Sequence, residues 1–129
     1  MKKDFSMSSI FPVNPQAVYE AWMSSEGHTA MTGSKAEVKP VVGGKFSAWE
    51  GYISGITLEL IPYERIVQEW RTTEFPKDSA NSHVEITLEA VKKGTKLTLI
   101  HSGLPQGTAD EYRKGWEDFY FKPMNEYFG

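Results

Sequence analysis

Gly43–Arg71, GGKFSAWEGYISGITLELIPYERIVQEWR, is the stretch that decides how this 129-residue chain folds. It reads as three successive antiparallel strands, near 44–54, 55–62 and 64–74. The Gly43-Gly44 pair supplies the turn chemistry that lets a strand start directly after a reversal. Phe46, Trp49, Tyr52 and Ile53 form an aromatic, extended-favouring segment. Gly51 and Gly55 interrupt it, and glycine inside a strand marks a bulge or a bend. A sheet bent at this point should curl around another element of the chain.

Outward from that centre, the flanking sequence supplies both the rest of the sheet and the element it would grip. Phe5, Met7, Ser9 and Phe11 alternate with polar positions, a half-buried strand. Asn14-Pro15 reads as a helix N-cap followed by proline at the first helical position. The helix behind it carries Val18, Ala21 and Trp22 on one face and should end near Ser24 or Ser25. Residues 26–34 suggest a broken or short second helix, and 36–42 an edge strand, because Pro40 lacks a ladder donor. Glu59 and Glu69 are expected outward, beside inward Leu58, Leu60, Ile66 and Trp70. FPKDSANS (75–82) reads as a polar loop. From His83 to Val91, Val84, Ile86 and Leu88 alternate inward, and Lys96–His101 returns with Leu97 and Leu99 on one face. Thr108 and Glu111 have capping-box spacing. The helix they open carries Tyr112, Trp116, Phe119, Tyr120 and Tyr127 as an apolar stripe, with a kink expected at Pro123. Strands in series with helices at the ends indicate an α+β fold with an antiparallel sheet.

Composition narrows the function. The length suits one domain over 1–129 with a single core. There is no cysteine, which removes disulfides, thiolate zinc sites and cysteine nucleophiles together. Fourteen basic against seventeen acidic residues give a net charge of −3, with no block of Lys or Arg longer than two, so nucleic acid is not an expected partner. MKKDFSMSSIF has no apolar run behind its lysines, and no stretch is long enough to span a bilayer, so neither a secretory signal nor a membrane partner is expected and the reading is cytoplasmic. Four Trp, six Tyr and seven Phe are the excess that needs a purpose.

With these residues in view, the chain resembles the helix-grip, or START-like, superfamily, which includes Bet v-type allergens and polyketide cyclases. Within it, GGKFSAWEGYISG (43–55), LELIPYERIVQEWR (58–71), TKLTLIHSGLP (95–105) and YRKGWEDFYFKPM (112–124) are similar to the C-terminal domain of the heat-shock protein 90 ATPase activator and its single-domain bacterial homologues. The resemblance implies a curved antiparallel sheet wrapped around a long C-terminal helix, two short helices after the first strand, and a cavity between sheet and helix. It also implies self-association, since such homologues pair. The activator's first domain, a principal chaperone-binding module, has no expected counterpart in this sequence, whose first strand is read from residue 1.

The cavity-lining candidates are Trp22, Phe46, Glu50, Tyr52, Trp70, Ile86, Leu99, His101, Trp116 and Tyr120. The aromatic members either line a pocket for an apolar ligand or fill it as core. His101 should point the same way as Leu97 and Leu99, as an acid–base group, a ligand donor or a hydrogen-bonded core residue. Glu50 shares a face with Phe46 unless Gly51 shifts the register. The three histidines have no metal-ligand spacing, and no nucleophile elbow or phosphate loop is present, so no metal, cofactor or catalytic group is assigned. Three readings follow: a carrier or binding domain for an apolar small molecule, a protein-interaction module acting on a chaperone of the heat-shock protein 90 type, and a cyclase- or hydrolase-type enzyme.

Overall fold

Alternating sequence makes the sheet, and an irregular turn chemistry bends it. The structure, a computed structural model, describes residues 3–129. The strand start expected at residue 1 therefore lies outside the described residues. The elements are β1 (Lys3–Phe11), α1 (Pro15–Trp22), α2 (Ser25–Thr32), β2 (Glu37–Val38), β3 (Lys45–Ala48), β4 (Ile53–Ile61), β5 (Arg65–Thr72), β6 (Ser82–Val91), β7 (Gly94–Ser102), α3 (Ala109–Trp116) and α4 (Lys122–Phe128), with a wide helical turn over Glu117–Phe121 joining the last two. Among the described residues one antiparallel, curved sheet runs in the order β1-β7-β6-β5-β4-β3-β2, and the C-terminal helix packs on it: the helix-grip α+β fold.

The first strand crosses to one edge beside β7, and the pair α1–α2 carries the chain to the opposite edge at β2. Asn14 Oδ1 accepts from the Ala17 N–H at 2.9 Å, which satisfies one orphan donor of α1, and Pro15 follows it. Ser24 Oγ does the same for α2, accepting from Gly27 N–H at 2.8 Å, and Gly33 closes that helix in the left-handed conformation. The inner face of the sheet carries Ile66, Trp70, Val84, Ile86, Leu97, Leu99 and His101, all buried beneath the helices.

Several expectations need correction. The first of the three central strands is shorter than 44–54: it stops at Ala48, and Trp49–Tyr52 form a tight reversal into β4. Trp49, Glu50 and Gly51 all take positive φ (54°, 56° and 92°), and the Tyr52 N–H closes onto the Trp49 carbonyl at 3.1 Å. The change at Gly51 is thus a full turn rather than a register shift. Leu58 is not inward: the pairing slips between Thr57 and Glu59, so Leu58 is the extra residue of a bulge and is 38 % exposed. The edge strand shrinks to Glu37–Val38, because Lys39–Gly44 fold into turns around Pro40. The first helix ends at Trp22, before Ser24. Thr108 does not form a capping box; its hydroxyl donates to the Pro105 carbonyl at 2.6 Å instead.

Two further corrections shape the site. In the loop 75–82 Phe75 is buried against Trp70 and Tyr112, and the Arg71 guanidinium ties the loop down by donating to Pro76 and Ser79 carbonyls and to Asn81 Oδ1. The irregularity expected at Pro123 appears just before it, as the wide turn, where the Lys122 N–H reaches back five residues to the Glu117 carbonyl. Proline lacks an N–H and its ring crowds the carbonyl four residues earlier; widening the preceding turn relieves that crowding. Gly55, paired with Phe46 on one side and Trp70 on the other, is needed for close approach: a Cβ there would sit 1.8 Å from the Glu69 carbonyl oxygen.

Candidate functional site

The aromatic residues between sheet and helix divide into a closed set and an open set. In the closed set Trp22 of α1 stacks on Trp116 of α3 with centroids 6.1 Å apart, and Tyr120 packs against both. Trp22 Nε1 donates to Gln68 Oε1 at 3.3 Å, and Gln68 Nε2 donates to Thr57 Oγ1 at 3.1 Å. Trp116 Nε1 donates to His101 Nδ1 at 3.0 Å. That bond places the His101 proton on Nε2, which donates to Ser82 Oγ at 2.8 Å, and the Ser82 hydroxyl donates to the Trp70 carbonyl at 2.7 Å. Each bond of this chain has one direction, with Ser82 Oγ accepting from His101 and donating onward, which holds the imidazole neutral. Burial, with the neighbouring His83 as the lesser cause, pushes the His101 pKa down to about 3.

His28 is built on the same plan from α2. Its Nδ1–H donates to the Trp22 carbonyl at 3.0 Å and its Nε2 accepts from the Tyr120 hydroxyl at 2.8 Å. Burial lowers its pKa against the opposing pull of the Trp22 carbonyl, and burial raises that of Tyr120. Both buried histidines are therefore neutral core residues with no free ring nitrogen.

The open set surrounds a half-open cleft of about 500 Å³. The β3–β4 turn contributes Trp49 and Tyr52, and β4 contributes Ile53. Trp70 comes from β5 and Glu74 from the turn after it. From the helix come Glu111, Tyr112, Gly115 and Trp116, with Phe119 and Tyr120 from the wide turn. Phe119, 56 % exposed, meets Trp49 edge-on at 5.4 Å across one side of the opening. The Tyr112 and Thr72 hydroxyls share a hydrogen bond of 2.7 Å, and the Tyr52 hydroxyl donates to Glu74 Oε1. Burial chiefly raises the pKa of both tyrosines, so they stay protonated. Gly115 borders this space without entering it: a Cβ built on it meets nothing within 4 Å.

Of the ten residues singled out in the sequence, Tyr52, Trp70, Trp116 and Tyr120 line this cleft. Trp22, Phe46, Ile86, Leu99 and His101 lie in the closed core. Glu50 belongs to neither; it is an exposed residue of the tight turn, because the reversal at Trp49–Tyr52 aims it outward. The lining residues that the sequence reading did not select are Trp49, Ile53, Glu74, Glu111, Tyr112, Gly115 and Phe119. Tyr112 and Phe119 carried a signal, the apolar stripe of the last helix, while Glu74 and Glu111 carried none. Among the described residues no group of three or more His, Cys, Asp or Glu could hold a metal ion, and no helix is long and apolar enough to cross a membrane.

Comparison with known proteins agrees with this architecture. The family model described as "Activator of Hsp90 ATPase homolog 1-like protein" matches residues 12–129. The human protein "Activator of 90 kDa heat shock protein ATPase homolog 1" is 29 % identical over 126 residues, which cover 96 % of this chain and 36 % of the human one. A Dictyostelium discoideum protein, "Activator of 90 kDa heat shock protein ATPase homolog", is 28 % identical over 116 residues, 89 % of this chain and 30 % of its own length. The chain thus spans roughly a third of these relatives. Among solved structures, an HSP90 activator from Plasmodium falciparum superposes with a TM-score of 0.86 at 27 % identity, covering 95 % of this chain and 93 % of the other. The Aha1 dimer from Colwellia psychrerythraea has the same fold, with a TM-score of 0.81 at 17 % identity over 99 % of this chain and 97 % of its own.

Proposed function

We propose, from the premise that the chain belongs to the Activator of Hsp90 ATPase homolog 1-like family, that it is a binding domain whose cleft takes an apolar, ring-sized small molecule. The observation that carries this reading is the half-open space of about 500 Å³ walled mainly by aromatic rings. Its size lies within the range of small-molecule sites, and such sites are mostly apolar with a few placed polar groups. The test uses Gly115, which borders the cleft and has room for a side chain. Gly115→Leu should project a branched side chain into the cleft and narrow it, from a helix that tolerates leucine well. Titration with the uncharged fluorophore 1-aminoanthracene should saturate at one site per chain in the native protein. The variant should bind at least tenfold more weakly while retaining its circular dichroism and melting temperature. Equal binding by both would place the dye elsewhere and remove the support for the cleft as a ligand site.

A second reading, a module acting on a chaperone of the 90 kDa heat-shock class, is supported by relatives bearing the activator name that align over 96 % and 89 % of this chain. Its measurement is the ATPase rate of such a chaperone with and without the protein; an unchanged rate at saturating concentration counts against it. Pairing of two copies is a further expectation, to be read from light scattering on the purified chain.

A further inference from the structure

The charge and ring chemistry of the cleft select among apolar ligands, and we propose that its occupant is an organic cation: a protonated amine or quaternary ammonium attached to an apolar, ring-sized body. This rests on the reading of the cleft as a small-molecule site and adds the class of molecule.

Two independent features of the lining point this way. The first is what the rings present. Four of them have their polar atoms already engaged: Trp116 Nε1 on His101, the Tyr120 hydroxyl on His28, the Tyr112 hydroxyl with Thr72, and the Tyr52 hydroxyl on Glu74. They therefore offer the cleft ring surface rather than hydrogen-bonding atoms. The face of an aromatic ring carries negative charge density, and several faces around one space attract a cation most strongly when water is excluded.

The second feature is the sign of the charged lining. Glu74 and Glu111, on the sheet side and the helix side, are the charged residues of the wall, and no Lys or Arg lines it. Among the described residues neither carboxylate is in an ion pair. The arginines of the bounding elements have other partners: Arg65 binds Glu59 and Glu85, Arg71 binds the loop carbonyls, and Arg113 lies over the Phe5 ring at 6.0 Å. An anion would meet two carboxylates and no countercharge. A neutral molecule would gain apolar contact without a countercharge. A cation with an apolar body gains that contact together with the ring faces and the carboxylates.

The test holds the apolar body constant and changes only the charged end, using 4-phenylbutylammonium, 4-phenylbutanol and 4-phenylbutanoate at pH 7. Titrations are read by calorimetry and by the backbone and indole signals of the cleft. The ammonium should bind about tenfold more tightly than the alcohol, and the carboxylate should bind weakest. Glu74→Gln with Glu111→Gln should reduce the ammonium preference to about threefold and leave the alcohol affinity unchanged, which separates lost charge from lost structure. If the alcohol or the carboxylate binds as well as the ammonium, the cation assignment is overturned while the cleft remains a small-molecule site. If none of the three moves the cleft signals and 1-aminoanthracene also fails to bind, both readings fall together.

Discussion

The closed and open aromatic regions use the same residue types and share Trp116 and Tyr120, yet they have opposite physical characters. On the closed side Trp22, His28, Gln68, Ser82 and His101 form hydrogen bonds whose donors and acceptors match one for one, with rings packed at centroid distances of 5–6 Å. On the open side the rings of Trp49, Tyr52 and Phe119 stand around open space that Gly115 borders. The difference lies in what stands opposite each ring. A helix face carrying Trp116 closes the sheet over His101, while one residue back the helix presents no side chain at all. Aromatic content alone therefore does not predict a pocket; the residue facing the rings does.

The largest effect should separate the two regions outright. Trp22→Ala removes a fully packed ring and strands the Gln68 carbonyl, so urea unfolding should show a loss of about 3–5 kcal/mol. Phe119→Ala, on the exposed rim, should cost less than about 1 kcal/mol. Comparable losses from the two would erase the distinction.

Next in size is Gly55→Ala, where the added methyl meets the Glu69 carbonyl at a distance no strand accommodates. The same unfolding measurement should show a loss of about 2–3 kcal/mol. A neutral result would mean that the sheet yields at this bend.

Acid should act on the closed region through its buried histidines. His101 is neutral in the folded chain down to about pH 3, whereas in the unfolded chain it binds a proton below its ordinary value near 6.5. Its contribution is therefore complete above pH 6.5 and is lost progressively as pH falls from 6.5 towards 3, about 2 kcal/mol by pH 5. The lowered pKa of His28 adds in the same direction. His101→Gln keeps an acceptor for Trp116 and a donor for Ser82 but has no proton to bind. Stability between pH 7 and 5 should then fall less steeply than in the native chain, as followed by urea unfolding at each pH; parallel curves would contradict the assignment. The smallest effect belongs to the open region: Gly115→Ala should raise stability by up to about 1 kcal/mol, since helical glycine is costly and the new methyl meets open space.

These contrasts follow what was legible in the sequence. β1, β6 and β7 alternate apolar and polar residues, and Asn14-Pro15 announces the start of α1; each of these signals is local, and each element forms over the residues that carry its signal, with α1 ending earlier than expected. The reversal at Trp49–Tyr52 was hidden because two of its three left-handed residues are Trp and Glu, types that favour extended or helical backbone. The bulge at Leu58 was hidden because LELI alternates equally well in either register. Thr108 and Glu111 have the spacing of a capping box, but the nearby Pro105 carbonyl competes for the hydroxyl and wins. The cleft itself left the weakest trace. Its lining comes from the β3–β4 turn, two strands, the turn after β5 and the last helix, and a helical glycine reads in sequence only as a destabilising residue.

The most direct measurement is a two-dimensional proton–nitrogen NMR titration with 4-phenylbutylammonium that follows the four indole signals and the Gly115 amide. The account predicts saturating shifts at Trp49 and Gly115, with the Trp22 indole, held by Gln68, unmoved. Shifts that appear at Trp22 and not at Trp49 or Gly115, or that map to neither region, would contradict it.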